Sequence, residues 1–355
     1  MIFYVAFFTF LLILLALDSY TRKLKGLHIK KIVFSLIFLF SALRFDVGWD
    51  YERYHRLIEK NIKFYDSQFE RFEFLNRVLI NISQYLDFTQ LYFIVTSFII
   101  ISSFYKVFKK YSADFTISTL LFLSLPIFFF NSLSIIRQFV AVSIIFYGFS
   151  FIRNRNFYKF LFTIFVASMF HKSAVIGIVL YFLYNRKGHV YFFLVIYVLG
   201  FFSSELIYWL VENLLPQYLK YLDKSIGEGG DKVLLLFQII GFFILFLIKK
   251  LKLNKRDNSF YFLAFYIGLF IWSSLAKYGH AGFRGSLYFT VFLLLLLPNI
   301  LVEIKQKRFV KQLTYVVCLM FFSFNLLLGK LNSKKDPNIP YRTFLLNDGE
   351  FEKIK

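Results

Sequence analysis

Apolar residues recur along this chain in continuous runs of near-spanning length, separated by short stretches rich in Lys and Arg. The runs fall at 2–17, 32–43, 91–107, 117–130, 135–152, 157–170, 173–184, 190–210, 233–248, 260–275, 285–301 and 313–329. They are apolar without alternation, whereas a membrane-barrel strand needs one polar face. Only helices satisfy their own backbone groups in hydrocarbon. The pattern therefore predicts an all-α polytopic bundle of about twelve transmembrane helices, one integral membrane domain over residues 1–355. Three runs, 32–43, 157–170 and 173–184, are short enough to be re-entrant or partly buried. The last two could form a hairpin around His171, which leaves the orientation of everything else unchanged.

Composition agrees. Of the 355 residues, 58% are hydrophobic and only 18% charged, and there are 53 Phe. A soluble domain of this size cannot pack so many rings inside, so soluble enzymes, disulfide-stapled secreted domains and disordered tails are excluded. The single cysteine, Cys318, lies in an apolar run and allows no internal disulfide.

The net charge of +21 would suggest nucleic acid on a soluble protein, but here it reports orientation. The first run lacks a basic segment ahead of it, and Arg22, Lys23 and Lys25 follow it, so it reads as an uncleaved helix with the N-terminus outside. Twelve crossings then put 18–31, 106–116, 153–156 with Lys159, 185–189, 249–259 and 302–312 in the cytoplasm. These segments hold 22 of the 42 basic residues and four of the 21 acids, a net +18, which leaves +3 outside. Positive charge confined to short inner loops argues against a nucleic-acid partner. Both termini, a polar loop 44–90 and a tail 330–355 lie outside on this scheme.

Ionisable groups at membrane depth cost about 2.5–3.5 kcal/mol each and need a reason. The conspicuous ones sit at outer helix ends. Arg44, Asp46 and Asp50 follow the second run, with Gly48 suited to an unusual backbone angle or a close approach. Asp50 can cap a helix beginning at Tyr51 and running through Tyr54, Leu57 and Ile58. Ser134, Arg137, Gln138 and Ala141 fall at helical spacing and would share one face, directed at the bundle interior or a water-filled cavity. His171 separates two runs, and His280 and Arg284 precede another. Interfacial anchoring and snorkelling explain Arg44 and Arg284 equally well, and a lone His can be merely structural. Walker, zinc-protease and nucleophile-elbow motifs are absent, and His55, His171 and His280 are too scattered to predict a metal site.

Taken in order, Leu43-Arg44-Phe45-Asp46-Val47-Gly48-Trp49-Asp50-Tyr51 with Tyr54, Ile136-Arg137-Gln138 with Ala141, Phe170-His171-Lys172-Ser173-Ala174, Arg284 with Tyr288-Phe289, Leu297-Pro298 and Ile339-Pro340-Tyr341 resemble the EpsG-type, Wzy-like polysaccharide polymerases. The likeness runs from about residue 40 to 341. One departure is Trp49, where the family more often has a small polar residue. The resemblance implies a fold like that of the C-type (GT-C) membrane glycosyltransferases in the cytoplasmic, or inner, membrane. It implies polymerisation of undecaprenyl-diphosphate-linked repeat units at the outer face, for O-antigen of lipopolysaccharide, capsule or exopolysaccharide.

The partners that follow are lipid-linked glycans, the bilayer, and a chain-length regulator and a flippase of the same pathway. Pyrophosphate departure asks for fixed cations, which makes Arg44, Arg137 and Arg284, assisted by Gln138, candidates for the diphosphate. His171, Asp50 and Asp46 are candidates for the base on the acceptor hydroxyl, and Tyr51, Tyr54, His280 and Tyr341 are further site candidates. The expectation is metal-independent transfer without a cofactor. A flippase and a glycan-modifying acyltransferase are the alternatives; the absence of internal repeats and of mid-membrane charge favours the enzyme.

Overall fold

The computed structural model describes residues 1–20, 28–59, 72–186, 199–200, 202–214, 216, 219, 231–247, 256–278, 280–304, 307–332 and 337–346. Helix dominates them. The one sheet among the described residues is a two-residue antiparallel bridge pairing Arg44 with Thr343 and Phe45 with Arg342. The chain forms two compact units, Met1–Tyr147 with Phe165–Lys172 and Arg308–Lys355, and Gly148–Ile164 with Ser173–Lys307.

Helices Ile2–Tyr20, Ile29–Ala42, Gln90–Tyr111, Phe157–Ser168, Asp231–Leu247, Arg256–Ser274 and Lys307–Asn332 fall on predicted apolar runs. Three other runs are interrupted. The run 117–130 breaks after Ser124 and resumes as Phe129–Ser134. Pro126 lacks an amide hydrogen and pushes the residue before it out of the helical region, which Leu125 obeys at ψ 130°. The run 285–301 is bent by 53° between His280–Thr290 and Leu293–Val302. The run 173–184 opens as a 3₁₀ helix, Lys172–Ile178, and ends as Val179–Leu183. Residues 60–71 of the polar loop, 187–198 of the run 190–210, 220–230 and the end of the tail, 347–355, lie outside the described residues.

Among the described residues, Gln90–Tyr111, Ile136–Arg153 and Phe309–Leu327 are long and apolar enough to cross a membrane, and the bent pair makes a fourth if it is one span. Five further apolar helices are 10–17 residues long. Phe246 is 83% exposed and Phe162 65% exposed, as expected of rings that face hydrocarbon. Inside the first unit, Phe104 stacks on Phe122 at 4.4 Å and meets Phe139 and Phe146.

Contacts sort the ends of the first unit. At one end Lys30 meets Asp18 (3.8 Å), and Lys311 pairs with Asp114 (2.8 Å). These are members of three loops predicted to share a side. The first helix rises about 27 Å over its 19 residues and carries Phe3 and Tyr4 to the other end. There Tyr341 stacks on Phe40 (4.3 Å) and Phe3 (5.0 Å), Gly48 N–H donates to Pro337 O (2.7 Å), and Phe344 N–H to Leu43 O (3.1 Å). N-terminus, polar loop and C-terminal tail thus meet at one end.

The second unit sorts likewise. Arg153 pairs with Asp257 (3.1 Å) and Ser259 donates to Arg186 O (3.0 Å), joining its three predicted inner loops. Lys277 pairs with Glu205 (2.9 Å), joining the predicted outer segment 276–284 to the run 190–210.

Gly48 holds the turn after the second helix. Its φ is +96°, and a Cβ there would sit 2.2 Å from Leu133 O, so the close approach foreseen for this glycine is to backbone. Beside it Trp49 is 69% exposed, and only its backbone N–H is used, donating to Ser134 Oγ at 3.3 Å. Gly48→Ala combines left-handed strain with a backbone clash and is expected to cost more than about 2 kcal/mol. Trp49→Ala, which leaves that N–H in place, is expected to cost under about 0.5 kcal/mol. Thermal unfolding in detergent distinguishes them, and equal effects contradict this account of the turn.

Candidate active site

The polar loop supplies the centre of the site. Phe72-Glu73-Phe74 leads into the helix Phe74–Tyr85, and Glu73 is only 8% exposed. Glu73 Oε2 accepts from Arg137 Nη1 at 2.7 Å. Its other oxygen, Oε1, lies 3.3 Å from His171 Nδ1 and accepts the Lys172 backbone N–H at 3.3 Å. Two of the residues singled out by sequence, Arg137 and His171, thus converge on a carboxylate that was not. Its only sequence sign was an acid set between two phenylalanines inside a polar loop.

The surroundings fix this carboxylate from several elements. Leu75 N–H donates to Met169 O (3.1 Å) and Asn76 Nδ2 to Phe170 O (2.6 Å), which ties the loop helix to the chain just before His171. Tyr92 on the helix Gln90–Tyr111 donates to Asn76 Oδ1 at 3.2 Å. Arg137 lies over the Phe72 ring at 4.6 Å, Tyr54 meets Phe72 edge-on, and Tyr54 stacks on Tyr92 at 4.7 Å. Burial pushes the Tyr54 hydroxyl well above its usual pKa, so at neutral pH it is a neutral wall.

Arg137 occupies the first turn of the helix Ile136–Tyr147. A cation there opposes the helix dipole, and Glu73 offsets that cost. The helix starts afresh after Ile135 (φ −102°, ψ 60°). Ser134 therefore ends the preceding short helix and does not share a face with Arg137, Gln138 and Ala141 as its spacing predicted. Gln138 and Ala141 are buried.

The other candidates are placed differently. Arg44 is 0% exposed. Its Nη1 donates to Ser41 O and to Ser97 Oγ (3.2 Å), and its guanidinium lies over Phe93 at 5.2 Å. Nε and Nη2 have no acceptor among the described residues. Burial draws the Arg44 pKa down to about 10, still charged at neutral pH. It meets one C-terminal carbonyl of the helix Ile29–Ala42, where a cation is favoured.

Gln90, also unremarked in the sequence, donates to Arg44 O (3.0 Å) and accepts from Tyr51 (3.0 Å). Tyr341 donates to Phe40 O at 2.9 Å. Asp46, at φ +48°, lies 3.8 Å from Arg342. Asp50 takes the N-cap position of the helix Tyr51–Ile58 without a side-chain cap bond. His55 is buried and 3.2 Å from Glu59. Arg284 and His280 stand one turn apart on the helix His280–Thr290 of the second unit, both exposed. No group of three or more His, Cys, Asp or Glu able to hold a metal occurs among the described residues.

For Glu73, burial alone would raise the pKa. The adjoining His171 imidazole and the charge of Arg137 outweigh it and hold the carboxyl at about 2, against an ordinary 4.5. A carboxyl depressed in this way contributes stability that is complete above 4.5 and is lost as pH falls towards 2. A double-mutant cycle of Glu73→Gln and Arg137→Gln, read by unfolding in detergent, is expected to give a coupling of about 1–3 kcal/mol at neutral pH. That coupling should vanish between pH 4.5 and 2. A coupling near zero at neutral pH, or one that ignores acid, contradicts the assignment.

Residues 27–343 match the EpsG family model. No curated protein and no solved structure matches the chain. The matched span takes in all of the second unit, most of the first and every candidate residue above, and it is most of the chain. The protein belongs to the EpsG family, a family of Wzy-like polysaccharide polymerases.

Proposed function

We propose that the chain polymerises undecaprenyl-diphosphate-linked oligosaccharide repeat units at the outer face of the cytoplasmic membrane. The observation that carries this reading is the meeting of Arg137 and His171 on one buried carboxylate in a chain of this family. Transfer of a saccharide from a lipid diphosphate needs two things together: a cation for the departing diphosphate and a group to receive the acceptor's proton. Arg137 is permanently charged and offers fixed donors, and the start of its helix adds the positive end of a dipole.

In the step we assign, His171 takes the proton of the acceptor hydroxyl while that oxygen bonds to the anomeric carbon. The bond from that carbon to the diphosphate breaks, and the lipid diphosphate leaves with the electron pair. His171 then returns its proton to water. Asp46 is engaged with Arg342 and Asp50 sits at a helix start, so His171 is the preferred base. Gln138 assists Arg137; Tyr51, Tyr54 and Tyr341 shape the walls, and Arg44 secures the turn beneath them. Arg284, with His280, is assigned phosphate binding in the second unit on its motif alone. The transfer is assigned to side chains without metal.

Twelve crossings, a GT-C-like architecture and outer termini belong to the same reading. Their support is that predicted inner loops meet inner loops within each unit, and that the N-terminus, the polar loop and the tail meet in the first.

Cells lacking this protein are expected to accumulate single lipid-linked repeat units. Purified protein given those units should build a ladder of longer products, and Arg137→Ala should abolish it while inserting normally. Movement of the units between leaflets without a ladder would indicate a flippase, and a requirement for an acyl donor an acyltransferase; either outcome overturns the proposal. Replacing Cys318, the only cysteine, allows single-cysteine mapping. Thr343→Cys is expected to react with an impermeant maleimide from outside and Lys110→Cys only after permeabilisation; the reverse pattern inverts the topology.

A further inference from the structure

We propose that Glu73 is a positioning residue for the transfer, holding the His171 imidazole with Nδ1 protonated so that Nε2 carries the free lone pair, while its second oxygen steadies Arg137. The inference rests on the reading above and adds a residue that neither motif nor charge pattern had marked.

The geometry separates two duties. Oε1 lies 3.3 Å from His171 Nδ1, within ion-pair distance but outside hydrogen-bonding geometry, and Oε2 accepts from Arg137 Nη1 at 2.7 Å. An ion pair kept for stability alone would need only the arginine. Here the carboxylate also fixes which nitrogen of the imidazole holds the proton, because an ionised carboxylate can only accept.

Placement of the imidazole is itself built from backbone. Leu75 N–H to Met169 O, Asn76 Nδ2 to Phe170 O and Lys172 N–H to Glu73 Oε1 form three links between the two segments. Two of these do not involve the carboxylate, so the segments stay registered when Glu73 loses its charge. The charged and titratable groups around Glu73 are Arg137, His171, Tyr54 and Tyr92, with Arg53 over the Phe72 ring at 5.4 Å. Asp50 acts electrostatically on Tyr54 and Tyr92. No second carboxylate lies within ion-pair distance of Arg137 among the described residues.

Once a small rotation of the ring turns Nδ1–H onto Glu73 Oε1, Nε2 accepts the acceptor proton, and the resulting imidazolium is stabilised by the carboxylate 3.3 Å away. The proton leaves to water after the diphosphate has departed, so the site returns to its starting state. Arg137 keeps one donor on Glu73 and turns others to the diphosphate, which a planar five-donor group permits.

The test uses full-length protein in lipid nanodiscs with ¹⁵N-labelled histidine, the His171 signals being assigned by their loss in His171→Gln. At pH 8 the wild type should show Nδ1 protonated and Nε2 bare. Glu73→Gln should redistribute the proton between the two nitrogens, and Glu73→Asp should preserve the wild-type preference. In the ladder assay Glu73→Gln should lower kcat on the order of 10²-fold with a smaller change in KM, and Glu73→Asp should recover most of it. An Nε2-protonated His171 in the wild type, or an unchanged tautomer and rate in Glu73→Gln, overturns the inference while a wild-type ladder leaves the polymerase reading standing. The expected tautomers without any ladder from the wild type overturn the polymerase reading and, with it, the catalytic role of Glu73.

Discussion

A carboxylate removed from water must be paired, and the pairing of Glu73 organises the first unit. Left alone, such a group costs several kcal/mol or takes up a proton. Arg137, His171 and the Lys172 amide meet it on three sides. They come from two other stretches of chain, so satisfying one buried charge draws the polar loop, the helix Ile136–Tyr147 and the His171 junction together. Arg137 depends on the same contact, since a cation in the first turn of a helix stands against the helix dipole.

A second buried cation is treated in another way. Arg44 has no carboxylate within ion-pair distance among the described residues; a helix-end carbonyl, a serine and an aromatic face receive it. The C-terminal tail completes that arrangement by pairing its backbone with Arg44–Phe45 and laying Tyr341 across Phe40. The two arginines therefore differ in access: Arg44 is fully buried, and part of the Arg137 side chain stays open (23% exposed).

Helices were legible because lipid leaves the backbone no other choice, and most apolar runs became single helices. Interruptions were harder to read. Pro126 was in plain view within the run 117–130, yet continuous hydrophobicity hid its break; the 53° bend after Thr290 had no comparable signal. The pairing of Lys311 with Asp114 joins two loops that the positive-inside count assigns to one side. At the site, Arg137 and His171 stood out because ionisable groups are rare in apolar runs. Glu73 did not, because an acid in a polar loop looks ordinary until the fold buries it. The shared face assigned to Ser134 failed because spacing cannot reveal a helix that stops and restarts at Ile135.

The claim on which the account turns is that Glu73 acts through His171, and a kinetic double-mutant cycle measures it most directly. Turnover of lipid-linked repeat units would be compared for wild type, Glu73→Gln, His171→Gln and the double variant. The account predicts that the double variant is no slower than His171→Gln alone, because a positioning residue has nothing left to position. Rate losses that multiply would show two independent contributions and contradict it.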